Sequence, residues 1–176
     1  MRAAIFRKGD FVVDDIRDPT PSEGQVLVKS LSCGICGSDL HAAKYTPELV
    51  DRARRSGNRW SLDPERDVVF GHEFCCEVVD HGPGTDKRFK PGTLVCSMPM
   101  TIATKTVLGI GYSNDIAGGF AQYMPLAERL LLEVPNGLSA AHAALTEPIA
   151  VGWHAVQKAG LNLEDVPLVI GCGPVG

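Results

Sequence analysis

Up to about Val134 the chain never sustains an apolar run for long before glycine or proline interrupts it. Residues 3–6, 11–16, 25–33, 73–80, 93–97 and 120–124 read as short strands. Turn signals separate them at Pro19-Thr20-Pro21, Gly82-Pro83-Gly84, Lys90-Pro91-Gly92 and Gly118-Gly119. Many short strands at this spacing predict a mainly β unit with helices, a barrel or sandwich. From Ser139 the period changes. Ser139 is placed to cap a helix through the following alanines, and Glu147-Pro148 opens a second helix, proline standing where its missing N–H costs nothing. That helix is expected to run to about Ala159 and to stop at Gly160. Residues 166–170 form a continuous apolar run, as expected of a buried parallel strand. No internal repeat or low-complexity segment is present.

With 176 residues the chain can bury one core, or one domain and the beginning of another. A hydrophobic content of 44% and a charged content of 22% suit a soluble globular protein rather than a disordered one. The net charge of −4 and pI near 5.7 argue against a nucleic-acid partner. No apolar run approaches the ~20 residues of a membrane span, so no membrane partner is expected. The start, Met1 to Phe6, has no secretory h-region. Six cysteines would suggest disulfides in a small secreted chain, but their spacing reads as ligation, so a cytoplasmic protein with reduced thiols is expected.

Chemistry concentrates in Cys33-Gly-Ile-Cys36-Gly-Ser38-Asp39-Leu-His41 and in Gly71-His72-Glu73. Cys36 offers a thiolate, His72 an imidazole and Glu73 a carboxylate, donor types that Zn²⁺ prefers. A structural zinc knuckle would group its cysteines in close pairs and close all four positions. A mixed S, N and O set with an open position is what a catalytic zinc needs. The competing reading of Cys33 and Cys36 is a dithiol redox pair. That alternative lacks a βαβ context and leaves Gly71-His72-Glu73 unexplained. At the other end, Gly171, Gly173 and Gly176 follow the 166–170 run with the G-x-G-x-x-G spacing of a dinucleotide-binding turn.

These motifs, in this order, resemble the zinc-dependent alcohol dehydrogenases of the medium-chain dehydrogenase/reductase superfamily, with polyol and threonine dehydrogenases nearest in style. The resemblance implies a GroES-like β-barrel catalytic domain over 1–160, incomplete without its C-terminal return, and the first strand of an NAD(P)-binding Rossmann domain over 161–176. It implies that Cys36 and His72 ligate one catalytic zinc, while Cys33 does not. Glu147 takes the third position at rest, with Glu73 as an exchanging or outer ligand. Asp39 fixes the histidine's tautomer. Ser38 and His41 relay the substrate's proton, and Gly171, Gly173 and Gly176 carry NAD or NADP. Without the resemblance, Ser38 reads as a helix cap, His41 as an exposed side chain, and Asp39 and Glu147 as acids favoured at helix starts.

Two departures stand out. Cys76 occupies a position usually glycine in the family, beside Cys75, and both read as small buried hydrophobes. Residues 45–66 are longer than usual and include a basic amphipathic helix ended by Gly57; Arg52, Arg54 and Arg55 either border the substrate cleft or form a solvated face. After Pro91-Gly92 only Cys96 precedes Cys172, so a structural Cys₄ zinc is not expected. The expected activity is oxidation of an alcohol or polyol to its carbonyl with NAD(P), the complete protein being a homo-oligomer. A chain ending on the third glycine is expected to be one part of that protein, without turnover by itself. The alternatives are a zinc-free quinone or enone reductase of the same superfamily and a non-enzymatic GroES-like binding module.

Overall fold

The computed structural model describes residues 1–57, 62–103 and 106–176. Residues 58–61, part of the 45–66 stretch, lie outside the described residues. The centre of the fold is a five-stranded antiparallel sheet in the order β8-β3-β4-β5-β9. The strands are β3 (Gln25–Gly34), β4 (Glu73–His81), β5 (Leu94–Ser97), β8 (Tyr123–Ala127) and β9 (Leu131–Glu133). Two hairpins flank it: β1 (Arg2–Arg7) with β2 (Asp10–Asp15), and β6 (Met100–Ala103) with β7 (Thr106–Gly109). Buried Gln25 ties the second hairpin to β3, its Nε2 donating to Thr101 Oγ1 at 2.9 Å and to the Ile102 carbonyl at 3.0 Å.

The core lies where inward residues of β3, β4 and β8 alternate. Val26, Val28, Phe74, Val78, Met124 and Leu126 are all buried there. Each such side chain removed from water contributes about 1.5–3 kcal/mol before entropy is counted. Cys75 and Cys76 are both buried, as expected of small hydrophobes, and Cys96 donates its thiol to the Ala143 carbonyl at 3.2 Å.

Between β3 and β4 the chain forms α1 (Gly37–Lys44) and α2 (Thr46–Arg55). The second is the basic helix: Val50 and Ala53 are buried, while Arg52, Arg54 and Arg55 are exposed and Arg55 pairs with Asp51 at 2.8 Å. After β9 come the four-residue α3 (Ala140–Ala143), with Ser139 Oγ accepting the His142 N–H, and α4 (Thr146–Ala159), which ends on Gly160 at φ 60°. Among the described residues no helix is long and apolar enough to cross a membrane.

Two expectations change, and three strands were not foreseen. The strand read at 120–124 lies at Tyr123–Ala127, because residues 118–122 instead make backbone bonds to β1 and to the segment before β4, including Phe120 N–H to the Phe70 carbonyl at 3.1 Å. The hairpin β6–β7 and strand β9 carry too little alternation to be read in advance. Residues 166–170 form no strand, and their apolar side chains are exposed. A buried parallel strand needs hydrogen-bonding neighbours, and the described chain supplies none there.

Candidate active site

The geometry begins with the sharp change of structure at Gly34. Strand β3 ends, Cys36 takes an extended conformation as N-cap of α1, and Asp39 folds back so that its Oδ2 accepts the Cys36 N–H at 3.1 Å. That bond fixes Asp39, which is 1% exposed, under the first turn. His72, one residue before β4, then stands over it: its Nδ1 lies 3.1 Å from Asp39 Oδ1. The contact is electrostatic, because the ring N–H is not aligned on the carboxylate and Nδ1 has no aligned hydrogen-bond partner. The other ring nitrogen, Nε2, meets Ser38 Oγ at 3.4 Å.

Burial is the largest influence on His72 and pulls its pKa down, but Asp39 and then Cys36 outweigh it and hold it at about 9. Glu147, half-buried in the first turn of α4, lies within the same field. Burial pushes its pKa up, Glu73 and Asp39 push the same way, and His72 opposes them. Glu73 pairs in register with Gly34, and its carboxylate fills the room that a Cβ on Gly34 would need. Glycine at 34 therefore leaves room for the Glu73 carboxylate.

Cys33 faces the other way. Its sulfur packs against Gly71 and Gly119, and its thiol donates to the Gly34 carbonyl at 3.5 Å. Burial, with the charges of Asp39 and Glu73, pushes its pKa up to about 12. Such a thiol is a poor nucleophile, which disfavours the dithiol redox reading. His41 is exposed and stacks on Tyr45 with ring centroids 4.7 Å apart; among the described residues no hydrogen bond joins it to Ser38.

Sequence reasoning missed one contributor. Tyr112 donates its hydroxyl to Ser38 Oγ at 2.8 Å, approaches Asp39 Oδ1 at 3.5 Å, and sets its ring 5.3 Å from that of His72. Burial first raises its pKa, so the phenol remains a donor. Its position depends on a close backbone crossing. Gly111 (φ 82°) and Gly71 (φ 95°) touch so closely that a Cβ on Gly111 would lie 2.9 Å from the Gly71 carbonyl oxygen. The Gly109-Ile110-Gly111-Tyr112 spacing is the signal that could have pointed to it.

The donors suit a Zn²⁺ ion in kind: a sulfur, a ring nitrogen and carboxylate oxygens, in a half-buried setting. Cys36 and His72 are the near pair, Cys36 acting on the ring beside the long Ser38 contact to Nε2. Among the described residues no three His, Cys, Asp or Glu side chains converge as a ready metal cage; Glu147 shares an electrostatic field with His72 and Glu73 without closing on that pair. Gly171, Gly173 and Gly176 lie in an exposed turn.

Comparison with known proteins identifies the family. The family model described as the alcohol dehydrogenase GroES-like domain matches residues 22–136, the stretch that holds Cys36, His72 and Tyr112. (R,R)-butanediol dehydrogenase of Bacillus subtilis is 36% identical, over 100% of this chain and 52% of that protein. Sorbitol dehydrogenase of Halalkalibacterium halodurans is 31% identical, over 96% of this chain and 48% of its own length. The crystal structure of 2R,3R-butanediol dehydrogenase from Bacillus subtilis superposes with a TM-score of 0.79 at 33% identity, covering 99% of this chain and 52% of that one. The chain thus spans about half the length of the curated relatives it matches. On the matched residues and the shared fold, the chain belongs to the alcohol dehydrogenase GroES-like domain family.

Proposed function

We infer that this chain is the alcohol-handling part of a zinc- and NAD(P)-dependent dehydrogenase that interconverts an alcohol or polyol and its carbonyl. One observation carries the reading: a thiol and a hydroxyl from the start of α1 meet an imidazole from the segment before β4 at the Cys36–His72–Ser38 corner, with the carboxylates of Asp39, Glu73 and Glu147 in the same electrostatic field. Cys36, His72 and Glu147 would hold the zinc, with Glu73 exchanging. Bound there, the ion supplies Lewis acidity toward the substrate oxygen.

This chain's residues do the rest. Asp39 holds the His72 ring through Nδ1 and keeps Nε2 directed at the site. Ser38 Oγ accepts the alcohol proton, and His41, one turn on, hands it to solvent. The carbon-bound hydrogen leaves as hydride to a nicotinamide, so that alcohol and NAD(P)⁺ become carbonyl, NAD(P)H and a proton. The nicotinamide is carried by a domain beginning near residue 161 and held at Gly171, Gly173 and Gly176. By itself the chain is inactive; the complete protein is cytoplasmic and homo-oligomeric.

Metal analysis of the purified chain tests this. About one equivalent of tightly held zinc is expected, lost in Cys36→Ala and His72→Ala, with strong chelators abolishing activity of the complete enzyme. A complete enzyme that turns over without zinc and ignores chelators would point to the zinc-free reductase; absence of both zinc and turnover would leave the binding module.

A further inference from the structure

Within the proton transfer just proposed, Ser38 is the residue that leaves most to chance. A serine hydroxyl carries one proton and two lone pairs and rotates freely about its Cβ–O bond. Ser38 sits on the exposed first turn of α1, so nothing on its own helix sets that rotation. Among the described residues two groups reach it. His72 Nε2 stands at 3.4 Å, at the edge of hydrogen bonding, whereas the Tyr112 hydroxyl donates at 2.8 Å, an ordinary O–H···O distance.

Tyr112 is itself held. Its ring packs 5.9 Å from the fully buried Phe70 and 5.3 Å from His72, within the cluster that includes Phe6 and Val50. The Gly111–Gly71 crossing fixes its backbone. His41, on the following turn, is occupied with Tyr45, and so Tyr112 is the polar side chain closest to Ser38 Oγ among those that bond it.

We propose that Tyr112 is a positioning residue for this chemistry: by donating to one lone pair of Ser38 Oγ, it leaves the second lone pair to receive the substrate's proton and Ser38's own proton to leave. The balance is one proton in from the alcohol and one proton out from Ser38 Oγ, passed through the exposed His41 to solvent, with the phenol keeping its own. The proposal rests on Ser38 being the proton carrier, and its test separates the two.

In the complete dehydrogenase, Tyr112→Phe removes only the phenol oxygen and keeps the ring. Its kcat is expected to fall about tenfold, the scale of one well-placed hydrogen bond, with KM within about twofold and zinc content unchanged. In a Ser38→Ala background the same substitution should cost nothing further, because its effect passes through Ser38. A readout independent of turnover is the tyrosine hydroxyl proton in NMR spectra of the metal-free chain: it should be protected in the wild type and lost in S38A. Should Y112F fold poorly, 4-aminophenylalanine at position 112 keeps both ring and donor and is expected to restore most of the rate. A wild-type kcat in Y112F, losses that multiply with S38A, or an unprotected hydroxyl proton would overturn the proposal. An unchanged kcat in S38A itself would overturn the proton-carrier reading, and this proposal with it.

Discussion

Strand β4 and residues 166–170 are similar strings of mostly apolar residues with opposite fates. In β4 every inward side chain is buried, with Cys75, Cys76 and Val78 fully so, because β3 and β5 hydrogen-bond its two edges. The later segment has no such neighbours; Val166 and Ile170 are 94% and 90% exposed, and α4 before it buries none of its residues. Apolar composition therefore measures the capacity to be buried, and partners decide whether burial happens. The candidate site sits on the partnered side of this divide, apart from Glu147, which lies in the first turn of α4.

The largest expected effect follows from that contrast. Phe70→Ala, at the centre of the cluster beneath Tyr112 and His72, should lower unfolding free energy by about 4 kcal/mol in urea titrations. A loss under about 1 kcal/mol would break the claim that this corner is core-like.

The next effect is one of pH. In the metal-free chain, the His72 pKa is raised from its ordinary 6.5 to about 9, so the protonated ring favours the folded state. That contribution is fully present below pH 6.5 and disappears as pH rises through 9. Its size is on the order of 2 kcal/mol, and Asp39→Asn should flatten the stability curve across that window. An unchanged curve in D39N would show that Asp39 is not what holds the ring charged.

The smallest effect lies in the unpartnered segment. Trp153→Ala, on a side chain 65% exposed, should change stability of this chain by no more than about 0.5 kcal/mol. A larger loss would mean that α4 is packed after all and would erase the contrast.

Legibility divides along physical lines. Helix α4 could be read because its start at Glu147-Pro148 and its stop at Gly160 are local features, encoded within a turn of the residues they affect. Strands β3 and β4 could be read because apolar runs extend over their ten and nine residues between turn signals. The four-residue hairpin strands are too short for such a run. At the site, Cys36 and His72 announced themselves through donor chemistry and motif spacing. Tyr112 did not, since an isolated tyrosine after a glycine carries no sign of which hydroxyl it will meet. Nor could the sequence show that His41 would stack on Tyr45 while Ser38 turned to Tyr112.

By itself, then, the sequence determined the donor set, the punctuation of the strands and the helix boundaries, all properties of single residues and of near neighbours. The tertiary structure alone decided that Gly111 would cross Gly71 and bring Tyr112 onto Ser38, and that Glu73 would fold over Gly34. Those outcomes depend on contacts between segments far apart in the chain, where close approach and the presence of a partner strand, rather than local preference, set the energy.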